Sequence, residues 1–296
     1  MQTQADVSNF ELALSQTLER QLAGLDGHTP TILRESIQYS LLAPGKRIRP
    51  RLLLTCGQML GLSSAQTLPA AMALEMIHCF TLIHDDLPCM DDDDWRRGLP
   101  SNHKKFGEDI ALLAGDSLIA LAAEVFLETP VEPKRLIPGL KRLIWASGPR
   151  GVTGGQAAEN ELTPHSPLEQ LYQMHRQKTG ALFLAALLIP SDLAGIETES
   201  REGQSILSFA RELGLAFQIA DDLEDLTANL APRAAFVPDP THILFYLSPH
   251  VARQQTLERL RGASQQLHAV WGSRSDALCQ LADEVLLKIE STAHAT

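Results

Sequence analysis

The feature that most constrains the fold is a series of helical segments that recurs along the whole chain. Apolar residues repeat at the spacing of an amphipathic helix, and short turns rich in Gly, Pro, Ser and Thr separate the segments. Aromatic residues make up only 5% of the chain, and no run of alternating β-branched residues predicts a strand. The pattern predicts helices at residues 9–24, 31–42, 48–61, 67–86, 108–128, 133–147, 167–188, 203–226, 242–247 with extensions on either side, 250–268 and 274–291.

The same segments favour one all-helical domain. The 296 residues contain no internal repeat, linker or low-complexity stretch, so we predict a single domain over residues 1–296. Residues 108–128 and 178–188 are apolar on most helix faces, which is typical of helices at the centre of a bundle. The sequence therefore predicts an all-α bundle whose active groups project into its middle.

Composition narrows the functional classes. The net charge of −11 argues against a nucleic acid or an anionic membrane surface as a partner. The four cysteines form no CxxC pair, which disfavours a zinc site or a disulfide scaffold and favours a reducing compartment. The N-terminal residues lack the pattern of a signal peptide, and the most apolar windows are interrupted by Asp116 or too short to span a bilayer. We predict a cytoplasmic protein without stable membrane insertion.

Two clusters of aspartate side chains each follow an apolar helical segment. Six aspartates fall within Asp85–Asp94. The second cluster consists of Asp221, Asp222 and Asp225. Asp221 and Asp225 are four residues apart, so their carboxylates share a helix face. Asp85 and Asp91 are six apart and do not, but Pro88 breaks the helix between them, which offers a way to bring Asp91 back to the same site.

Clustered carboxylates suit Mg²⁺, which prefers hard oxygen ligands and usually binds one or two carboxylates together with substrate phosphates. Two such clusters facing each other can hold several ions against one diphosphate and neutralise it as its bond to carbon breaks. Arg96 and Arg97 follow the first cluster directly, and guanidinium groups bind phosphate oxygens. The alternative is a solvated acidic loop at a helix end, which a single cluster would favour.

Five motifs in order resemble those of the trans-prenyl diphosphate synthases, the family that contains bacterial farnesyl and geranylgeranyl diphosphate synthases. They are Gly45-Lys46-Arg47-Ile48-Arg49-Pro50, the segment Ala73-Leu74-Glu75-Met76-Ile77-His78, the first aspartate cluster with Arg96-Arg97, Lys178-Thr179, and Gln218 with the second cluster. Gly154-Gly155-Gln156 is a weaker sixth match. The resemblance covers about residues 30–228.

The resemblance implies about ten core helices around a deep central cavity, in a homodimer. The implied reaction is head-to-tail condensation of isopentenyl diphosphate with an allylic diphosphate, either dimethylallyl or geranyl, with three Mg²⁺ ions per site. The implied ligands of isopentenyl diphosphate are Lys46, Arg49, His78 and Arg97. Arg96 and Lys178 are the implied ligands of the allylic diphosphate, and the implied catalytic residues are Lys178, Thr179 and Gln218. The implied metal ligands are Asp85, Asp91 and Asp221, with Asp86, Asp222 and Asp225 as close support.

Taken singly, several of these residues have ordinary structural explanations. Lys46 and Arg49 alone fit a solvated basic turn. His78 alone fits a hydrogen-bonded histidine in a helical core, and Lys178 alone fits a surface position on a helix. Only their order within the set of motifs favours the functional interpretation.

Product length in the resembled family is limited by side chains below the first aspartate cluster. Phe80, five residues before Asp85, lies roughly 7–8 Å down the helix axis from it. A ring there blocks a growing prenyl tail early, so we expect a short product, C15 (farnesyl) first and C20 (geranylgeranyl) second. The alternative is that Phe80 is only a core aromatic residue.

The pattern departs from the family in residues 226–246. The family usually continues with a loop rich in glycine and lysine, and then a segment whose lysine binds the allylic diphosphate. Here no lysine occurs between Lys178 and Lys288, and alignment on Thr241 puts Asp239 at the expected lysine. Arg233 is the nearby cation and could substitute for this lysine, although a planar guanidinium does not replace an ammonium freely. The chain could accordingly be a weakened or regulatory partner subunit of an active synthase. A class I terpene cyclase is a further alternative, which the second aspartate cluster and the basic motif disfavour.

Overall fold

The computed structural model describes residues 3–23, 29–228 and 238–291. Within these ranges the all-α class is confirmed. The helices are α1 (Thr3–Ala23), α2 (Thr31–Leu41), α3 (Ile48–Met59), α4 (Ser64–Asp85), α5 (Asn102–Phe106), α6 (Glu108–Leu127), α7 (Pro133–Ser147), α8 (Val152–Glu159), α9 (Leu168–Lys178), α10 (Gly180–Ala194), α11 (Arg201–Ala228), α12 (Ile243–Tyr246), α13 (Pro249–Trp271) and α14 (Asp276–Ser291). A 3-10 turn at Gly272–Ser275 joins the last two helices.

The chain divides into two compact units. The first comprises Met1–Leu54 and Ser63–Leu136, and the second comprises Thr55–Leu62 and Ile137–Thr296. In the first unit, α4 packs along α6 and also contacts α2. In the second, α11 packs against α10, α13 and α14, while α8 pairs with α9. The interpretation of residues 1–296 as a single domain stays a prediction.

Burial differs sharply between the two most apolar regions. Helix α10 has most of its side chains buried, from Gly180 through Leu193, as predicted. Helix α6 does not: Leu112, Leu113 and Leu127 are 46%, 50% and 55% exposed. The expectation that residues 108–128 lie at the centre of the bundle is therefore wrong for one face of α6, because nothing in this single chain covers that face within the described residues.

By length and composition, α4 and α6 are each apolar enough to cross a membrane, a test that core helices of soluble proteins also pass. Asp116 therefore does not interrupt α6 sufficiently to fail that test, contrary to expectation. The most apolar window of α4 is 72% buried inside the structure, whereas that of α6 is 39% buried.

Three local departures from the predicted elements lie close to the motifs. The segment 167–188 is two helices, because α9 ends at Lys178 and α10 begins at Gly180. Thr179 and Gly180 are both poor helix formers, so the junction is weak at this point. The short helices α5 and α8 were not predicted. Strands β1 (Trp95–Arg96) and β2 (Leu99–Pro100) form a small antiparallel pair directly after the first aspartate cluster.

Candidate active site

The first aspartate cluster begins where α4 ends. Helix α4 stops at Asp85, three residues before Pro88, and the chain then folds back on itself. The backbone N–H of Asp91 donates to the carbonyl of Asp85 at 2.9 Å. The predicted return of Asp91 to Asp85 through the break at Pro88 is thereby confirmed for the backbone.

Asp86 lies beside Asp85 in sequence but has a different environment. Its carboxyl is buried, and Oδ1 accepts hydrogen bonds from Nε of Arg96 at 2.8 Å and from Nη2 of the same guanidinium. Burial raises the pKa of Asp86, and the hydrogen bond from Arg96 opposes that shift. Nη2 of Arg96 also donates to Oδ2 of Asp93 at 2.9 Å. Asp86 thus holds Arg96, which follows it on strand β1.

The basic turn before α3 contains one arginine with a structural role. Arg47 is 4% exposed, and its guanidinium donates to Glu75 at 2.6 Å and to the carbonyl of Ala43 at 2.8 Å. Its pairing with a buried carboxylate fixes the turn that carries Lys46 and leads into the first turn of α3, where Arg49 lies. Lys46 is exposed, whereas Arg49 is partly buried.

Arg49 lies beside His78, and both are among the residues that the resemblance assigns to isopentenyl diphosphate. Nη1 of Arg49 lies 3.2 Å from Nε2 of His78, so the imidazole accepts from the guanidinium when it is neutral. Burial lowers the pKa of His78 well below its ordinary value, and the charges of Arg49 and Arg97 lower it further. A neutral His78 flanked by cations is an environment that favours an anion.

Arg97 is folded against the same basic turn. Its Nη1 lies 3.5 Å from the carbonyl of Ala43, and a Cβ on Gly45 would come within 3.0 Å of that nitrogen. The absence of a side chain at Gly45 therefore leaves room for the guanidinium of Arg97.

Among the described residues, the non-glycine residues with left-handed backbone conformations lie in the basic turn and in the stretch that runs from the first aspartate cluster to Arg97. Arg47, Asp92 and Arg97 have φ values of 48°, 51° and 55°. Such conformations store local strain and are often found at functional sites. The basic turn and the first acidic loop are therefore held in conformations that the sequence alone does not favour.

Phe80 is buried on α4, with 6% of its side chain exposed. Its ring makes an edge contact with the imidazole of His84, with centroids 5.8 Å apart. Nε2 of His84 in turn lies 3.1 Å from the carbonyl of Leu112 on α6. These contacts fix the aromatic ring on the helix that carries Asp85.

The second aspartate cluster lies in the last two turns of α11. Asp221 is hydrogen-bonded to Nζ of Lys288 on α14, and the same ammonium donates to Glu224 at 2.8 Å. Burial raises the pKa of Asp221, and the bond from Lys288 opposes that shift. Asp225 is more exposed, yet burial also raises its pKa.

Asp222 is the buried member of the second cluster. Its Oδ1 accepts from Nε2 of Gln218 at 3.0 Å, and its Oδ2 accepts from the backbone N–H of Ile243 at 2.9 Å. Oε1 of Gln218 accepts from Oγ1 of Thr179 at 2.6 Å. The structure thus brings the predicted residues Thr179 and Gln218 together, and Asp222 fixes the orientation of the amide.

Lys178 ends α9 beside α8. Its Nζ lies 2.5 Å from Oε2 of Glu159, which also accepts from Nε2 of Gln156 at 3.2 Å. A Cβ on Gly155 would lie 2.1 Å from the backbone nitrogen of Lys178. The glycine of the weaker sixth motif is therefore required for the close approach of α8 to Lys178.

The donor set suits magnesium in both units. Both clusters offer carboxylate oxygens, the ligands that Mg²⁺ prefers. Asp92 and Asp94 of the first acidic loop and His103 of α5 have ligand atoms within 4.8 Å of one another, a set that the sequence did not identify. Lys104 lies 2.7 Å from Asp94 and competes for that carboxylate. This set could hold a metal ion.

The atypical segment is described in part. Arg233 lies outside the described residues, so its proposed compensation for the missing lysine stays a prediction. Asp239 accepts from the N–H of Thr241 at 2.8 Å and from its hydroxyl at 2.5 Å. The residue at the expected lysine position therefore caps its own turn. The carbonyl of Thr241 accepts from Nε2 of His175 at 3.2 Å.

Several residues at the site were missed from the sequence. They are Glu75, Glu159, Glu224, His242 and Lys288. Most are partners of predicted residues from distant parts of the chain, which no local pattern reveals. Lys288 had a signal, because it is the next lysine after Lys178.

Comparisons with known proteins agree with this arrangement. The profile of the family described as polyprenyl synthetase matches residues 30–232. A chloroplastic geranylgeranyl pyrophosphate synthase of Capsicum annuum is 39% identical over 265 residues, covering 86% of this chain and 71% of that protein. A farnesyl diphosphate synthase of Geobacillus stearothermophilus is 44% identical over 222 residues, covering 73% and 71% respectively.

Solved structures show the same relationship for the fold. A geranyltransferase from Legionella pneumophila matches with a TM-score of 0.81 and 31% identity over 98% of both chains. The all-helical class and the family resemblance are thus both confirmed. Since the family profile covers most of the chain and the relatives are aligned over much of their own length, this chain belongs to the polyprenyl synthetase family and is a prenyltransferase.

Proposed function

We propose that the protein catalyses the Mg²⁺-dependent head-to-tail condensation of isopentenyl diphosphate with dimethylallyl or geranyl diphosphate. The observation that carries the proposal is the cationic group around His78, in which Arg49 lies 3.2 Å from a histidine whose pKa is lowered by burial and by neighbouring arginines. A cyclase that only ionises an allylic substrate has no need of such a second anion site. Relatives named for farnesyl and geranylgeranyl synthesis support the same class of reaction.

The roles of the side chains follow from their chemistry. Lys46, Arg49, His78 and Arg97 bind isopentenyl diphosphate, while Arg96 and Lys178 bind the allylic diphosphate. Bound Mg²⁺ supplies neutralisation of the diphosphate leaving group. As the allylic C–O bond breaks, the oxygens of Thr179 and Gln218 present fixed dipoles to the carbocation, since each is held by the hydrogen bonds that end at Asp222.

The remaining steps of the condensation need no further reactant. The isopentenyl double bond attacks the allylic carbon, which forms the new C–C bond and moves the positive charge to the isopentenyl unit. Loss of a proton to the departed diphosphate then restores a double bond. The product is one isoprene unit longer, and the diphosphate of its isopentenyl unit is now allylic because the new double bond lies next to the carbon that carries it.

We propose farnesyl diphosphate as the main product and geranylgeranyl diphosphate as the second. Support comes from the buried ring of Phe80 on α4, five residues before Asp85. Relatives named for both products occur among the matches, so the family alone does not choose between them.

Partner and location complete the proposal. The exposed apolar face of α6 favours a homodimer, because a second copy would cover leucines that solvent otherwise contacts. All four cysteines lie in the described residues and are free thiols, which supports a cytoplasmic location.

Product analysis tests the proposal. Purified protein is incubated with radiolabelled isopentenyl diphosphate and either dimethylallyl or geranyl diphosphate, with Mg²⁺ or with EDTA. We expect a C15 product in Mg²⁺ and none in EDTA. Absence of condensation by folded protein with either primer would instead favour the partner-subunit alternative, since Asp239 replaces the family lysine.

A variant reads out product length in the same assay. Phe80→Ala removes the ring below Asp85, so the product distribution should shift towards C20 and longer chains. Phe106→Ala, on α5, is the matched aromatic control and should leave the distribution unchanged. An unchanged distribution in Phe80→Ala would make Phe80 a core residue only.

A further inference from the structure

The second aspartate cluster contains a cation that the sequence motifs do not assign. Lys288, in the last turn of α14, is hydrogen-bonded to Asp221 and lies 2.8 Å from Glu224. Its ammonium also lies 5.5 Å from the ring centroid of Phe217, one turn earlier on α11. Only 19% of the Lys288 side chain is exposed, so the side chain is packed against the cluster and does not extend into solvent.

Packing of α14 explains why the lysine is held there. Leu278, Ala282, Val285, Leu286 and Ile289 are buried along one face of the helix. Val285 and Ile289 flank Lys288, and Ile289 is fully buried. The apolar face therefore anchors α14 in the second unit, where it packs against α11 and α13, and fixes the point from which the lysine extends.

The usual source of a lysine near this cluster is missing. The chain has no lysine between Lys178 and Lys288, and Asp239 stands at the expected position. The carboxylate of Asp239 accepts hydrogen bonds from Thr241 and so caps its own turn. It does not supply the positive charge of the expected lysine. Lys178 is paired with Glu159 at 2.5 Å. Lys288 is the lysine that contacts the second cluster in the described structure.

We propose that Lys288 is the resident cation of the second aspartate cluster, weakening divalent metal binding at Asp221 and binding the diphosphate once a metal is present. This rests on the proposed function, because it assigns a diphosphate to that cluster. Two opposite effects follow from one charge. An ammonium on Asp221 repels a second cation on the same carboxylate, whereas it attracts the phosphate oxygens of a ligand.

The test separates these effects with Mg²⁺ and inorganic pyrophosphate as probes. Lys288→Met removes the charge and keeps an unbranched side chain, and Lys288→Gln is the second variant should the first fold poorly. Lys134→Met, at a 74% exposed lysine on α7, is the matched control. Binding is measured by calorimetry at constant ionic strength, first with Mg²⁺ alone and then with pyrophosphate in saturating Mg²⁺.

We expect removal of the Lys288 charge to lower the half-saturating Mg²⁺ concentration about fivefold and to weaken pyrophosphate binding by about the same factor. Lys288→Arg should retain the wild-type pattern for Mg²⁺, and Lys134→Met should change neither value. Unchanged or weaker Mg²⁺ binding in both neutral variants would overturn the proposal, as would unchanged pyrophosphate binding.

Prenyl transfer by the wild-type protein distinguishes this failure from failure of the proposed function. Active wild-type protein without the two opposite shifts would reject the role of Lys288 alone. If the wild-type protein is inactive but the Lys288 variants show both shifts in binding, the condensation activity is rejected and the role of Lys288 in the cluster is retained.

Discussion

Three basic residues at the motifs are held by acidic neighbours in the described structure. Arg96 pairs with Asp86, Lys178 with Glu159, and Arg47 with Glu75. A partly buried cation that already has a carboxylate partner is positioned at little entropic cost when substrate arrives, but the substrate must compete with that partner. The sequence identified Arg96 and Lys178 through local motifs. It did not identify Glu159, because the pairing depends on the packing of α8 against α9.

The histidine at the basic group should make stability depend on pH. Burial and neighbouring arginines lower the pKa of His78 in the folded protein, so between that pKa and the ordinary value near 6.5 the unfolded chain binds more protons. Stability is therefore fully present above pH 6.5 and is lost as pH falls below it. His78→Gln should lose less stability on acidification, by at most about 1.4 kcal/mol per pH unit.

Denaturant unfolding from pH 5 to pH 7.5 measures this difference. Burial lowers the pKa of His175 as well, so the stability of the His78→Gln variant will also depend on pH. The quantity to compare is therefore the slope of stability against pH in wild type and variant. His165→Gln, at an exposed histidine, is the control and should reproduce the wild-type slope. Equal slopes in wild type and His78→Gln would contradict a neutral His78.

At the scale of helices, the junction between α9 and α10 shows where sequence reasoning stopped. The apolar pattern predicts one helix over 167–188, and most of those residues are indeed helical. Helix propensity is low at Thr179 and Gly180, and two tertiary contacts lie at the same point: the hydroxyl of Thr179 donates to Gln218 at 2.6 Å, and Gly155 approaches the backbone of Lys178. Hydrophobic periodicity predicts which face of a helix is apolar, but it does not predict contacts with residues that are distant in sequence.

The close approach of α8 to α9 should be intolerant of a methyl group. A Cβ at Gly155 would meet the backbone of Lys178, which cannot rotate away, so Gly155→Ala should destabilise the protein by about 1–3 kcal/mol. Because Lys178 must shift with the backbone, prenyl transfer should fall as well. Gly262→Ala on α13 is the matched control, since nothing lies within 4 Å of its added Cβ.

Chemical denaturation gives the free energies of unfolding for both variants. Gly262→Ala should be neutral or stabilised by up to about 1 kcal/mol, because alanine is the better helix former. A Gly155→Ala variant as stable as wild type would show that α8 and α9 can separate freely.

The exposed face of α6 gives an association prediction at the same scale. Leu113→Asp places a charge among leucines that a second copy is proposed to cover, so it should shift the protein from dimer to monomer in sedimentation experiments. Leu12→Asp on α1 is the control, because that leucine is 60% exposed and lies outside α6. A monomeric wild type, or a dimeric Leu113→Asp, would reject α6 as the interface.

For the molecule as a whole, charge is the property that composition reveals most directly. The net charge of −11 includes six aspartates within one ten-residue stretch, and such a stretch is relieved when cations bind to it. The sequence predicted this requirement and led to the proposal of Mg²⁺ as the ligand. It could not predict which carboxylates remain available, since Asp86 and Asp222 are buried and already accept hydrogen bonds from Arg96 and Gln218.

Ligand binding at these carboxylates should therefore appear as a gain in stability of the whole chain. The Mg²⁺–pyrophosphate complex, treated as one ligand at 100 times its dissociation constant, should stabilise the folded protein by about 2.7 kcal/mol. For a chain of this size that corresponds to an increase in Tm of about 5 °C. Pyrophosphate in EDTA should give little of this gain, because without the metal it adds negative charge to an acidic site.

The Asp91→Asn variant distinguishes metal binding by the first aspartate cluster from general screening of charge by salt. Removal of this carboxylate should reduce the gain in Tm, whereas Asp109→Asn, at an exposed acid in the first turn of α6, should leave it intact. Equal gains with Mg²⁺ and with NaCl of matched ionic strength would show that the acidic loop only responds to screening. A gain that needs Mg²⁺, pyrophosphate and Asp91 together is the outcome expected if the carboxylates hold a metal–diphosphate complex, because neither ion alone satisfies both the acidic and the basic groups of the site.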